Sequence, residues 1–107
     1  MRILDFTVSK QRIDRDPQCD FNDIASGTRG YLHARFRFSS DWNGCKRVVV
    51  FSCRGKDFPA PLVNNMCVIP AEALVSNTVK VGVVGLNDRT GYRITTNTVE
   101  FTQSTGR

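Results

Sequence analysis

The sequence contains few of the residues on which enzyme active sites and metal centres usually depend. It has one histidine, His33, among 107 residues. A histidine that acts as a general base or binds a metal needs partner side chains. The carboxylates nearest to it in sequence, Asp23 and Asp41, lie in segments predicted to be loops. We therefore expect His33 to be an ordinary exposed residue of a strand.

Recognisable catalytic motifs are also absent from the sequence. There is no nucleophile elbow, phosphate-binding loop or HExxH helix. No two of the ten acidic residues stand out as the pair that glycoside hydrolysis needs. Gly82 and Gly85 fall inside a strand pattern, where glycine more often marks a bulge or the close approach of another chain. We expect no catalytic residues, no cofactor and no metal, and hence no enzyme activity.

Long apolar runs are missing as well. No segment approaches the run of about 18 apolar residues that a membrane-spanning helix requires. Near the N-terminus, Asp5 interrupts what would otherwise be the apolar core of a signal peptide. We therefore expect a protein that folds in a cytoplasm and does not bind a membrane.

The four cysteines do not form a metal-binding motif. They are Cys19, Cys45, Cys53 and Cys67, and no two are spaced as CxxC, which argues against a zinc knuckle. An even number would permit two disulfides, but without a secretory signal reduced thiols are the default. Cys53 and Cys67 lie in apolar strand-like runs, where cysteine usually acts as a small core residue.

The net charge is +5, yet the basic residues are spread along the chain from Arg2 to Arg107. The densest group comprises Arg29, Arg35 and Arg37. A nucleic-acid footprint needs charge concentrated on one face. We therefore favour solvated surface charge, and nucleic-acid binding is kept as an alternative that rests on charge alone.

Alternation of apolar and polar residues with a period of two dominates the sequence and predicts β-strands. It is clearest in residues 31–38, where Leu32, Ala34, Phe36 and Phe38 share one face. A strand with such faces lies on a core with its other side in solvent. Weaker forms of the pattern occur in residues 4–8, 79–83, 92–96 and 98–102.

Other segments follow different patterns. Residues 48–51 are continuously apolar, which predicts a central strand covered on both sides. Residues 66–69 predict a short strand that Pro70 ends, and residues 70–74 predict one short helical turn between two sheets. Residues 12–29 have little periodicity and predict a long surface loop with at most a short edge strand.

Turn residues separate these strands, notably the pairs Asn43-Gly44 and Asn64-Asn65 and the segment 88–91. Several short strands at this spacing predict one all-β domain over residues 1–107. We expect an antiparallel β-sandwich, either immunoglobulin-like or jelly-roll-like.

Trp42 is the only tryptophan and has two interpretations. It follows a strand and precedes a turn, so its ring could stack on a sugar or a base. We favour the second interpretation, in which it closes one end of the core beside Phe38 and Phe51. Trp42, Tyr31 and Tyr92 are the candidate residues for contacts with a ligand or a partner.

Several segments together resemble a small β-sandwich domain of tailed-bacteriophage structural proteins. They are FRFSSDWNG at 36–44, RVVVF at 47–51, CVIPAEAL at 67–74, VKVGVVG at 79–85 and TTN at 95–97. The resemblance covers residues 30–103 and implies an attachment module of baseplate, tail-fibre or head-fibre proteins. Such modules usually anchor a longer chain. Since nothing follows Arg107, we expect either a free-standing virion protein or a fragment of a larger one.

The resemblance implies a non-enzymatic virion protein, structural or adaptor in role, that is assembled in the host cytoplasm. Its partners would be other virion proteins and further copies of itself, and residues 98–103 are predicted to pair with a neighbouring chain. One alternative is a carbohydrate-binding module for host surface glycans that uses Trp42, Tyr31 and Tyr92. A second alternative is the basic nucleic-acid-binding domain.

Overall fold

A computed structural model describes residues 1–104, within which the chain forms nine strands and two 3-10 turns. The strands are β1 (Arg2–Ser9), β2 (Arg12–Arg15), β3 (Leu32–Phe38), β4 (Lys46–Cys53), β5 (Lys56–Pro61), β6 (Met66–Val68), β7 (Thr78–Asn87), β8 (Tyr92–Thr95) and β9 (Val99–Thr102). The 3-10 turns are Ser40–Trp42 and Ala71–Ala73. No helix in the described range is long and apolar enough to cross a membrane.

The strands form two sheets, so the predicted all-β sandwich is confirmed. One sheet has the order β2-β1-β3-β6 and the other β5-β4-β7-β8. β9 also pairs with β7, because β8 covers the part of β7 from Val84 to Asn87 and β9 covers the part from Thr78 to Val81. β8 and β9 thus lie along the same edge of β7.

One strand pair departs from the expected antiparallel arrangement. β1 and β3 run parallel, from Arg2 opposite Leu32 to Val8 opposite Phe38. Parallel neighbours need a long connection, and residues 10–31 supply it by forming β2 and then returning to the start of β1. The sequence pattern identifies both strands but contains no signal for their relative direction.

The connection from β2 to β3 is held firmly against β1. The guanidinium of Arg2 donates hydrogen bonds to the carbonyl oxygens of Asp20, Asn22 and Asp23 at 3.0, 2.6 and 3.2 Å. Phe21 packs edge-on against Phe6 with ring centroids 5.3 Å apart. The predicted short edge strand is confirmed as β2, whereas the rest of the predicted surface loop packs on the core, with Ile24 buried.

The core lies between the sheets, as the alternation predicts. Leu32, Ala34 and Phe36 are buried, and Phe36 stacks on Phe6 with ring centroids 5.1 Å apart. The five-stranded sheet contributes buried side chains from alternate positions of its strands: Val49, Phe51, Val79, Val81, Val83, Ile94 and Phe101.

Strand β4 is central, between β5 and β7, but it is not covered on both sides as predicted. Val49 and Phe51 are buried, whereas Val48 and Val50 are only half-buried and project from the outer face. A continuous apolar run is compatible both with a strand buried on both faces and with a strand whose outer face is apolar. In this sheet the second arrangement holds.

Strand β5 is not predicted by the sequence, because Pro59 and Pro61 are typical of turns. The Leu62 N–H donates to the Arg47 carbonyl at 3.0 Å. Since hydrogen-bonded and non-hydrogen-bonded pairs alternate along an antiparallel ladder, this bond places both prolines, opposite Val50 and Val48, at non-hydrogen-bonded positions. Their missing N–H groups therefore cost no ladder bond at this sheet edge.

Two predicted connections are confirmed. Asn64 and Asn65 both have positive φ, 53° and 60°, and Val63 bridges Met66 across them, as in a two-residue hairpin turn. The turn at Ala71–Ala73 carries the chain from β6 in one sheet to β7 in the other.

Candidate functional site

Trp42 belongs to the core, which confirms the favoured interpretation. Its side chain is 0% exposed and its indole N–H donates to the Lys10 carbonyl at 2.8 Å. The ring lies 5.2 Å from that of Phe38 and directly over Gly85, where an added Cβ would be 2.7 Å from the indole. The close approach at Gly85 is made by Trp42 of the same chain and not by another chain, and this buried ring cannot stack on a ligand in solvent.

The other two candidates, Tyr31 and Tyr92, are exposed (52% and 44%) but lie at opposite ends of the sandwich. Tyr31 precedes β3, and its carbonyl accepts a hydrogen bond from the Arg2 N–H. The Tyr92 hydroxyl donates to the Asp41 carbonyl at 3.3 Å, beyond the other end of β3. The seven residues of β3 span roughly 23 Å. The three aromatic candidates therefore do not share one binding platform.

His33 and the cysteines do not assemble a reactive centre. His33 lies half-buried between Ile3 and Val68 on the outer face of the four-stranded sheet. All four cysteines are free thiols. Burial raises the pKa of Cys67 to about 11, which keeps this thiol protonated and unreactive at neutral pH. Among residues 1–104 no group of three metal-binding side chains comes together.

Basic residues within 1–104 lie on both sheets. Arg35 and Arg37 project from the outer face of the four-stranded sheet, and Arg35 forms two hydrogen bonds with Asp5, at 2.6 and 3.1 Å. Arg47 is part of the other sheet. Its guanidinium lies over the Phe38 ring at 4.3 Å and donates to the Trp42 carbonyl at 2.8 Å. This arginine supports the packing of the protein.

The outer face of the five-stranded sheet is the candidate site that sequence reasoning missed. Its centre, which we call the valine–proline face, is formed by Val48, Val50, Pro59, Pro61 and Val84. The pairing places Pro61, Val48 and Val84 in one row across the strands. Pro59, Val50 and Gly82 form the next row. All of these residues are half-buried or exposed although they are apolar or lack a side chain.

Charged rows border this face at both ends. The row that we call the basic end consists of Lys46, Leu86 and Arg93, and Leu86 is 41% exposed. The row that we call the acidic end consists of Asp57, Ser52, Lys80 and Glu100. Its two carboxylates outnumber its one lysine. The surface therefore has an apolar centre with opposite charge at its two ends.

The sequence signal for this face was present in part. Residues 48–51 form an apolar run, but the run alone does not tell whether its second side faces a core or solvent. The charged rows combine residues from separate strands, and they become rows only through pairing with β4 and β7. A comparison with protein-family models finds no match, and a comparison with curated protein sequences finds no relative.

Proposed function

We propose that the chain is a non-enzymatic structural or adaptor protein of a tailed-bacteriophage particle that acts through protein–protein contacts. The observation that carries the proposal is the valine–proline face. Outward positions of an antiparallel sheet are normally polar when that side is solvated. Contiguous exposed apolar side chains typically mark a protein–protein contact. The resemblance of residues 30–103 to phage structural domains supplies the setting.

The sheet edges favour association through the face. β5 is an edge strand, and Pro59 and Pro61 lack the N–H groups that would point away from β4 toward an added strand. Proline at an edge blocks strand addition. The pairing of residues 98–103 with a neighbouring chain stays a prediction. β9 already pairs with β7 on one side. Beyond β9, the backbone N–H of Ser104 donates to the Ile24 carbonyl at 2.8 Å.

The carbohydrate alternative has less support than the sequence suggested. Trp42 is buried, and Tyr31 and Tyr92 are too far apart to stack on one short glycan. A titration with host-surface glycans, followed by tyrosine fluorescence, tests this alternative. Saturable binding that is lost in Tyr31→Ala or Tyr92→Ala would favour a glycan-binding role over the assembly role.

The proposal is tested by asking whether the chain is part of particles. Particles released by cells that express the tagged chain during phage production are purified on a density gradient and analysed by mass spectrometry. We expect the chain at a constant ratio to the major capsid protein. Its absence from particles would contradict the proposal.

Two matched variants connect this test to the valine–proline face. Val84→Asp places a carboxylate on that face, and Arg37→Asp places one on the outer face of the four-stranded sheet. We expect Val84→Asp to reduce incorporation severalfold and Arg37→Asp to leave it near the wild-type level. Equal incorporation of both variants would remove the face from the proposal.

A further inference from the structure

We propose that the valine–proline face binds the same face of a second copy of this chain. The two-fold axis runs across the strands, so that Arg93 of each copy meets Glu100 of the other. The inference rests on the proposed function, for which it names one partner and the orientation in which that partner binds.

The valine–proline face and the charged rows at its ends form one contact surface. With its charged ends included, this surface extends along β4 from Lys46 to Ser52, a length of roughly 20 Å, and across four neighbouring strands it is roughly 19 Å wide. The bend at residues 96–98 borders it beside Gly82, where an added Cβ would lie 3.5 Å from the Asn97 carbonyl oxygen. A contact of this size buries roughly 400 Å² on each copy, which is below the standard size of specific interfaces and in the range of weak, transient ones, so we expect a reversible dimer with modest affinity.

Four charged residues of this surface form no ion pair within residues 1–104: Asp57, Lys80, Arg93 and Glu100. Arg93 lies opposite Leu86, and Glu100 lies opposite Lys80. The side chains of Arg93 and Glu100 are exposed. Lys46, by contrast, already pairs with Asp88 at 3.2 Å. Of the unpaired charges, Arg93 and Glu100 are the two that lie along the same edge of β7.

The positions of these two charges select one symmetry. β8 and β9 lie along the same edge of β7, so Arg93 and Glu100 stand in one column, roughly 20 Å apart along β7. Two copies that meet face to face need a two-fold axis in the plane of the contact. An axis parallel to the strands would place the basic end of one copy on the basic end of the other.

An axis across the strands, at the level of Val83, reverses the strand direction of the second copy. Val83 lies midway between Lys80 and Leu86 along β7. The reversal therefore brings Arg93 over Glu100 of the second copy and creates the same pair a second time by symmetry. It also places Lys46 near Ser52 and Asp57 of the second copy. Opposite charges then meet at both ends. Lys80 of the second copy lies over Leu86 in the basic row, so this axis reduces like-charge contacts relative to an axis parallel to the strands but does not remove them all.

The inference is tested by sedimentation equilibrium of the purified chain up to millimolar concentration. We expect a monomer–dimer equilibrium in the wild type. Arg93→Glu and Glu100→Arg should each raise the dimer dissociation constant by about tenfold or more, because each places two like charges against each other at both ends. The double variant R93E/E100R should restore an affinity close to that of the wild type.

Arg37→Glu is the matched control, because it makes the same charge change on the outer face of the other sheet and should leave the dissociation constant unchanged. Circular dichroism of each variant checks that the fold is retained. A wild type that stays monomeric would overturn the inference, and so would a dimer that neither single charge reversal weakens. If the chain is nevertheless present in particles and Val84→Asp removes it, the proposed function stands and the face binds a different protein.

Discussion

The two sheets are alike on their inner faces and different on their outer faces. Outward positions of the four-stranded sheet include Asp5 and Arg35, joined by an ion pair at 2.6 Å, together with Thr7 and Arg37. Its apolar outward residues Ile3 and Val68 flank His33. The corresponding positions of the five-stranded sheet are the valine–proline face. The core requires apolar residues only on the inward positions. The chemistry of the outward positions is therefore free to differ between the sheets, and this difference is the basis of our proposal that the five-stranded sheet meets a partner.

The largest expected effect comes from the two glycines of β7, which lie on opposite faces. Gly85→Ala brings a Cβ within 2.7 Å of the buried Trp42 indole, and we expect a loss of about 3 kcal/mol of unfolding free energy from overpacking. Gly82→Ala meets its neighbours at 3.5 Å and should change stability by less than about 0.5 kcal/mol. Urea denaturation measures both. Equal losses of unfolding free energy would contradict the assignment of Gly85 to the inner face and of Gly82 to the outer face.

The second-largest expected change in unfolding free energy comes from two adjacent valines of β4. Val49 is fully buried and Val48 is half-buried on the outer face. Val49→Ala should cost about 2 kcal/mol, because it removes two buried carbon groups and leaves a cavity. Val48→Ala should cost less than about 1 kcal/mol. The comparison uses the same substitution and the same denaturation measurement for both sites. A larger loss at Val48 would indicate that its face is covered within the single chain.

The smallest effect concerns Cys67, which lies opposite the buried Ala34. Burial raises the pKa of this thiol to about 11 from an ordinary value of 9.0. As the pH rises, the Cys67 thiol therefore loses its proton at a lower pH in the unfolded chain than in the folded chain. Stability from this group is complete below pH 9 and is lost between pH 9 and pH 11.

Because the thiol is only partly buried, we expect this loss to be about 1–2 kcal/mol. The difference in unfolding free energy between the wild type and Cys67→Ala, measured across this pH range, isolates the contribution. A difference that stays constant from pH 8 to pH 11 would show that Cys67 is as solvated as an exposed thiol.

The sequence predicts those parts of the fold that depend on a single buried face. Alternation identifies β1, β3, β7 and β9, since one side of each strand packs on the core. It fails at β5, where Pro59 and Pro61 suggest a turn. Only the ladder geometry explains why two prolines are tolerated at that edge. It also says nothing about the parallel pairing of β1 with β3, because strand direction depends on the path of the intervening chain.

The candidate site is less predictable than the fold. The glycine pattern indicates a close approach at Gly85, but the indole that makes it comes from Trp42, in a distant part of the sequence. Arg93 and Glu100 lie in different strands and share a column only because both strands pair with β7. No local pattern contains that relation, so the charge arrangement of the surface becomes visible only in the folded chain.

The central claim is that the outer face of the five-stranded sheet is the surface on which this protein binds its partners. The most direct test is a dilution series of the isotopically labelled chain, followed by amide resonances in two-dimensional NMR. We predict concentration-dependent shifts at Val48, Val50 and Val84, with none at Arg35 and Arg37. Shifts confined to the four-stranded sheet, or no shifts over the whole series, would contradict binding of a second copy through this face.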